Sequence, residues 1–125
     1  MTTWFRVLML VAGLFGASGV AASAMAAHLA GGANLATAAQ FLLIHAAAIA
    51  ALSAAGLLAT RGAVLLLVGA STMAMGTLLF SGDLALRALM GIKLLWGTAP
   101  FGGTLMIAGW VSAGIGGALT APRAR

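Results

Sequence analysis

Three stretches of this chain, positions 7–27, 62–82 and 94–122, contain no Asp, Glu, Lys or Arg, and that emptiness constrains the fold before any motif does. A helix rises about 1.5 Å per residue, so about 20 apolar residues cross a hydrocarbon core about 30 Å thick. Each stretch is long enough. A fourth, positions 41–60, is interrupted only by His45, whose imidazole is neutral for much of its time near pH 7. The pattern predicts an all-α integral membrane bundle of four transmembrane helices, over about 5–30, 41–60, 62–90 and 100–119.

Composition agrees: 63% of residues are hydrophobic, 6% are charged, and the mean hydropathy is +1.18. Four spans with short connections use nearly all of the 125 residues, which predicts one transmembrane domain over 1–125 and leaves no room for a soluble catalytic module. The net charge of +5 and the pI near 12.0 arise from six basic residues set against one acid. These basic residues are dispersed, and Arg6, Arg61, Arg123 and Arg125 mark helix ends. That is the pattern of membrane orientation and not of a phosphate-binding face, so nucleic acid is not an expected partner. The absence of cysteine removes disulfides, thiolate nucleophiles and Cys-type zinc or iron–sulfur sites.

The start of the chain imitates a secretory signal, with Arg6, an apolar run over 7–15 and the small residues Ala22, Ser23 and Ala24. The small, apolar character continues to Ala30, well past a usual signal core, and a retained first helix is the expectation. Arg6, Arg61, Arg123 and Arg125 fall on one side of a four-span topology, while the connection 31–40 carries no charge. The third connection opposes them with Arg87 and Lys93 against Asp83. The balance predicts both termini in the cytoplasm.

That topology places His28, His45, Asp83 and Arg87 together in the outer leaflet or its interface, with no acid or histidine at the midplane. Asp83 precedes Arg87 by four residues, the favourable order for an ion pair on one helical face. A charge near the membrane needs such a partner, and a structural pair closing the third helix weighs against a working proton or ion site. Two histidines on adjacent helices could ligate a b-type haem or meet a quinone carbonyl, but buried imidazoles bonded to carbonyls explain them equally well. A zinc site would lack a fourth ligand. No metal or cofactor is expected.

Gly62, Gly69 and Gly76 recur every seven residues in the third helix, as do Gly102, Gly109 and Gly116 in the fourth. A 3.5-residue repeat follows the seam of a left-handed helix pair, and small residues let backbones approach. The third and fourth helices are therefore expected to pack closely, on each other or on another tight neighbour. Met73, Met75, Met90 and Met106 read as gap fillers. The segment 82–103 mixes charges with Gly91, Gly97, Pro100, Gly102 and Gly103, so it cannot be one span. A turn at Gly91, interfacial Lys93 and Trp96, and Pro100 at the start of the fourth helix are expected.

Ala27-His28-Leu29, Phe41 with His45, the block Gly76-Thr77-Leu78-Leu79-Phe80-Ser81-Gly82-Asp83-Leu84, then Pro100-Phe101-Gly102-Gly103 and Gly109-Trp110 together resemble the domain-of-unknown-function 423 family of small membrane proteins. The resemblance implies a four-helix, multi-pass protein of the bacterial cytoplasmic (inner) membrane, with no settled activity. Its motif positions here are His28, His45, Phe80, Ser81, Gly82, Pro100, Gly102, Gly103 and Trp110, and it supplies no catalytic roles. Relatives commonly have an uncharged residue where Asp83 stands, which weighs against a mechanism resting on that carboxyl.

Three functions fit. The first is a small accessory or structural subunit, packed against a larger membrane complex such as a respiratory or dehydrogenase assembly; its mark would be an exposed small-residue stripe that its own helices leave uncovered. The second is a homo-oligomeric transporter or channel using the polar residues as stations. The third is an outer-leaflet quinone or haem contact through His28 and His45. The expected reading is the first, with the lipid bilayer and a larger complex, or the chain itself, as partners. No enzyme is expected, because no nucleophile–base set, carboxylate pair or phosphate loop is present.

Overall fold

The computed structural model describes residues 1–29, 32–94 and 97–120, which form four helices and no strand. These are α1 (Thr2–His28), α2 (Ala33–Leu58), α3 (Ala63–Met90) and α4 (Thr98–Leu119), each long and apolar enough to cross a membrane. Short connections force successive helices to run antiparallel. α1 packs on α2, α2 on α3, and α3 on α4, with a lighter contact between α1 and α3. Trp96, Arg123 and Arg125 lie outside the described residues, as do Ala30 and Gly31.

α2 starts eight residues earlier than the sequence suggested, at Ala33 and not near Phe41. The polar residues Asn34, Thr37 and Gln40 give 33–40 the look of a connection. Its spacing nevertheless puts Leu35, Ala38 and Ala39 on one face, and all three are buried. Thr37 satisfies its hydroxyl on the Ala33 carbonyl at 3.1 Å, so it stays in the helix at little cost.

α3 ends where Gly91 takes a left-handed conformation at φ 63, with the Gly91 and Ile92 N–H groups bonded back to the Arg87 and Leu86 carbonyls. Pro100 lies in the first turn of α4, where its missing N–H would have had no helical partner.

α3 is the central helix, buried along two faces. One face meets α4 through the glycines: Gly62 lies against Gly116, Gly69 against Gly109, and Gly76 against Gly102. Each step of seven along α3 is matched by a step of seven backwards along α4, as an antiparallel seam requires. The approach is close enough that a methyl on Gly76 would stand 2.6 Å from the Gly102 carbonyl oxygen and 2.7 Å from the Met106 nitrogen. Ala99, Met106 and Ala113 continue the α4 side of the seam.

The apolar core joins Leu8, Ala12 and Phe15 of α1, Ala46 and Ile49 of α2, Leu67, Ala70 and Met73 of α3, and Ala113 of α4. Met73 and Met106 are buried gap fillers, whereas Met75 and Met90 are exposed and fill nothing. The expectation for those two was wrong, because composition alone does not say which face a residue takes. Glycine also admits large side chains elsewhere. Gly19 makes room for Leu43, and Gly56 for Leu67, contacts that the seven-residue repeat does not reveal.

Adding a methyl at the seam tests this packing. Gly76→Ala or Gly109→Ala should cost about 1–3 kcal/mol, since the intruding methyl meets backbone that must shift. Gly103→Ala and Gly114→Ala, where nothing lies within 4 Å, should be neutral or up to about 1 kcal/mol stabilising through helix propensity. Unfolding in mixed micelles, followed by far-ultraviolet circular dichroism, measures the difference. Equal effects at the two pairs would contradict the seam.

Candidate functional site

The polar residues divide into separate places. His45 is 12 residues from the start of α2, about 18 Å along its axis, and so stands near the middle of the bundle. Trp110 is likewise 12 residues from the start of α4. Antiparallel α2 and α3, followed by antiparallel α3 and α4, leave α2 and α4 running the same way, so the two side chains meet at one depth. The Trp110 indole N–H donates to His45 Nε2 at 3.1 Å, and His45 Nδ1 lies 2.8 Å from the Phe41 carbonyl oxygen. A carbonyl only accepts and an indole only donates, which puts the imidazole proton on Nδ1 and the lone pair on Nε2.

Aromatic rings enclose this imidazole. Phe41 stacks on His45 at 5.9 Å between centroids, Trp110 meets His45 edge-on at 5.9 Å, and Phe80 tilts against Phe41 at 4.7 Å. His45 is 3% exposed. The Trp110 ring that closes over it is 48% exposed. Both ring nitrogens are engaged, so in this arrangement neither offers an axial bond to haem or a hydrogen bond to a quinone.

Asp83 occupies a second place, nearer the end of α3. It is fully buried, and its Oδ2 accepts from Arg87 Nη2 at 2.6 Å, while Oδ1 accepts the Leu94 N–H at 3.3 Å. The carboxylate thus ties the last turns of α3 to the connection beyond Gly91. The single acid of the chain is spent on holding that connection. Ser81, one half-turn earlier, donates to the Ala38 carbonyl of α2 at 3.0 Å. A methyl added at Gly82 or Gly103 would meet nothing within 4 Å outside its own helix backbone.

His28 is the third place. It is the last residue of α1, is exposed, and joins neither His45 nor Asp83 in a hydrogen bond. The expected single cluster of His28, His45, Asp83 and Arg87 in one leaflet is therefore not formed; only the Asp83–Arg87 pair is. The error follows from the start of α2, since moving it to Ala33 carries His45 from near the surface to mid-depth. No group of three or more His, Cys, Asp or Glu able to hold a metal occurs among the described residues.

Further interhelical bonds carry no obvious sequence signal. Trp4 Nε1 of α1 donates to Ser71 Oγ of α3 at 2.8 Å, and Ser112 Oγ of α4 donates to the Leu65 carbonyl of α3 at 2.9 Å. Small hydroxyls at buried or half-buried helical positions were the only available clue. Among the described residues, Thr77 Oγ1 and Arg87 Nε are buried without a hydrogen-bond partner.

Double-mutant cycles test both centres. Trp110→Phe with His45→Leu should show a coupling of about 0.6–2 kcal/mol, the range for hydrogen bonds between membrane helices. Arg87→Met should cost about 3 kcal/mol by leaving a buried carboxylate unpaired, and Asp83→Leu added to it should recover most of that loss. Additive effects in the Asp83–Arg87 cycle would mean that the pair is not coupled.

The family model described as protein of unknown function (DUF423) matches residues 7–103. That segment includes His28, His45, the Phe80-Ser81-Gly82 motif, Asp83, Pro100 and the Gly102-Gly103 pair, while Trp110 lies beyond it. No curated protein and no solved structure matches the chain. With most of its length matched by that model, the chain belongs to the DUF423 family of proteins of unknown function.

Proposed function

We propose that this chain is a small, non-catalytic component of the bacterial cytoplasmic membrane, with both termini on the cytoplasmic side, that packs laterally against a larger membrane complex. One observation carries the reading. Gly13, Ala17, Ala21 and Ala24 are all exposed along one stripe of α1, on the side opposite the buried Leu8, Ala12, Phe15 and Gly19. Nothing lies within 4 Å of a methyl added at Gly13. Lipid gains nothing from such a stripe, whereas a partner helix gains close backbone contact.

The polar groups support the same view. The Asp83 carboxylate, both His45 nitrogens and the Ser81, Ser71 and Ser112 hydroxyls are bonded within the bundle. The mid-depth position of His45 moves one station of a transport reading from the outer leaflet, where the sequence put it, toward the middle of the bundle. Both of its ring nitrogens are already bonded within the bundle, at Phe41 and Trp110, so the packing role is preferred.

Extraction from native membranes in mild detergent, followed by native-gel separation and mass spectrometry, tests the proposal. The chain should migrate with one larger complex, and Ala17→Leu with Ala21→Leu should abolish that migration while leaving helical content and unfolding unchanged. Migration of the wild-type chain alone would overturn the accessory role, and migration as a homo-oligomer would favour transport through its own assembly.

A further inference from the structure

Among the polar side chains of α2, Thr37, His45 and Ser53 each bond to a carbonyl one turn back in the same helix, and Asn34 stands in the first turn. Gln40 is the exception. Its amide has no hydrogen bond with a described residue, and it is exposed on the side of α2 away from the buried Ala38, Ile49 and Gly56. The 26 residues of α2 rise about 39 Å, so a centred hydrocarbon core about 30 Å thick begins about 4 Å inside each end. Gln40, seven residues from Ala33, is about 10 Å along the axis and thus about 6 Å within that core. A carboxamide there, with two N–H donors and a carbonyl unmet, carries a cost that lipid does not offset.

The face around it is built for a helix. Seven-residue steps from Gln40 reach Ala33, Ala47 and Ala54, all exposed, with exposed Ile44 and Ala51 between them. This is the period of a left-handed helix pair, the same by which α3 meets α4. Alanine side chains above and below let a second backbone come near enough for the amide to be met. One polar residue in such a seam sets its register.

Self-complementarity chooses the occupant. A carboxamide donates and accepts, so two of them satisfy each other. A different protein would need a polar group of its own at this depth, whereas a second copy inserted the same way has one there by symmetry. We propose that this face of α2 is the contact between two copies of the chain, related by a two-fold axis along the membrane normal, with their Gln40 amides bonded to each other. The contact is on a different helix from the small-residue stripe of α1, and it stands whether or not the dimer joins a larger complex.

Energy transfer between donor- and acceptor-labelled full-length chains in phosphatidylcholine vesicles, followed as the protein-to-lipid ratio is lowered, measures the association. The wild type should pair, and Gln40→Leu should weaken pairing about tenfold without loss of helical content. Ala17→Leu with Ala21→Leu should leave pairing unchanged. Because the chain has no cysteine, single cysteines report the face in contact. Ala47→Cys should give a disulfide-linked dimer under a membrane-permeant oxidant, and less of it when combined with Gln40→Leu. Val111→Cys, exposed on α4, should give none. A wild type that is monomeric at every ratio, equal pairing by Gln40→Leu, or equal cross-linking from positions 47 and 111 would each overturn the proposal. A monomer that joins a larger complex only when Gln40 is present would overturn it too, by giving this face to a different protein.

Discussion

In a bilayer an apolar side chain is as well solvated by lipid as by protein, so burying it draws helices together far less than in water. What remains is contact, and contact grows with closeness. The Gly62–Gly116, Gly69–Gly109 and Gly76–Gly102 pairs bring the backbones of α3 and α4 within reach of each other, and the positions of the other helices follow from that pairing. With one face of α3 committed to α4, its other face receives α2, and α1 closes on α2 and on the edge of α3.

Hydrogen bonds then fix what packing alone would leave free to slide. Each links different helices: Trp4 to Ser71 joins α1 to α3, Ser81 to Ala38 joins α3 to α2, Ser112 to Leu65 joins α4 to α3, and Trp110 to His45 joins α4 to α2. The last is the most informative. α4 leans almost wholly on α3, so a bond between α2 and α4 sets how far α4 can turn about its partner. His45 suits that task because one ring nitrogen is anchored in its own helix at Phe41 while the other faces outward as an acceptor. On this argument the imidazole is a fastener between helices, which accounts for its place in the aromatic enclosure without a ligand.

The number of spans, their order and the glycine seam were legible in the sequence because each leaves a periodic or length signal: charge-free runs of span length, and glycines every seven residues. The start of α2 was not legible, because Asn34, Thr37 and Gln40 look like connection residues until the burial of Leu35, Ala38 and Ala39 is seen. That single error displaced His45 by most of a leaflet and created a cluster that the fold does not contain. The Asp83–Arg87 pair could be read because an i, i+4 contact is local. The Trp110–His45 bond could not, because it joins residues 65 apart whose register depends on where two helices begin.

The burial of Asp83 shows how this bundle treats charge. A buried ion pair contributes little net stability, since desolvation offsets most of its attraction, so it is better understood by what it holds in place. Here the second carboxylate oxygen reaches past Arg87 to the backbone N–H of Leu94, fixing the path that the chain takes after Gly91. Gly91 permits the reversal through its left-handed backbone, but permission does not choose a direction. The carboxylate supplies the direction as far as Leu94. The pair thus fixes the exit from α3, while the register of α3 on α4 rests on the glycine pairs themselves.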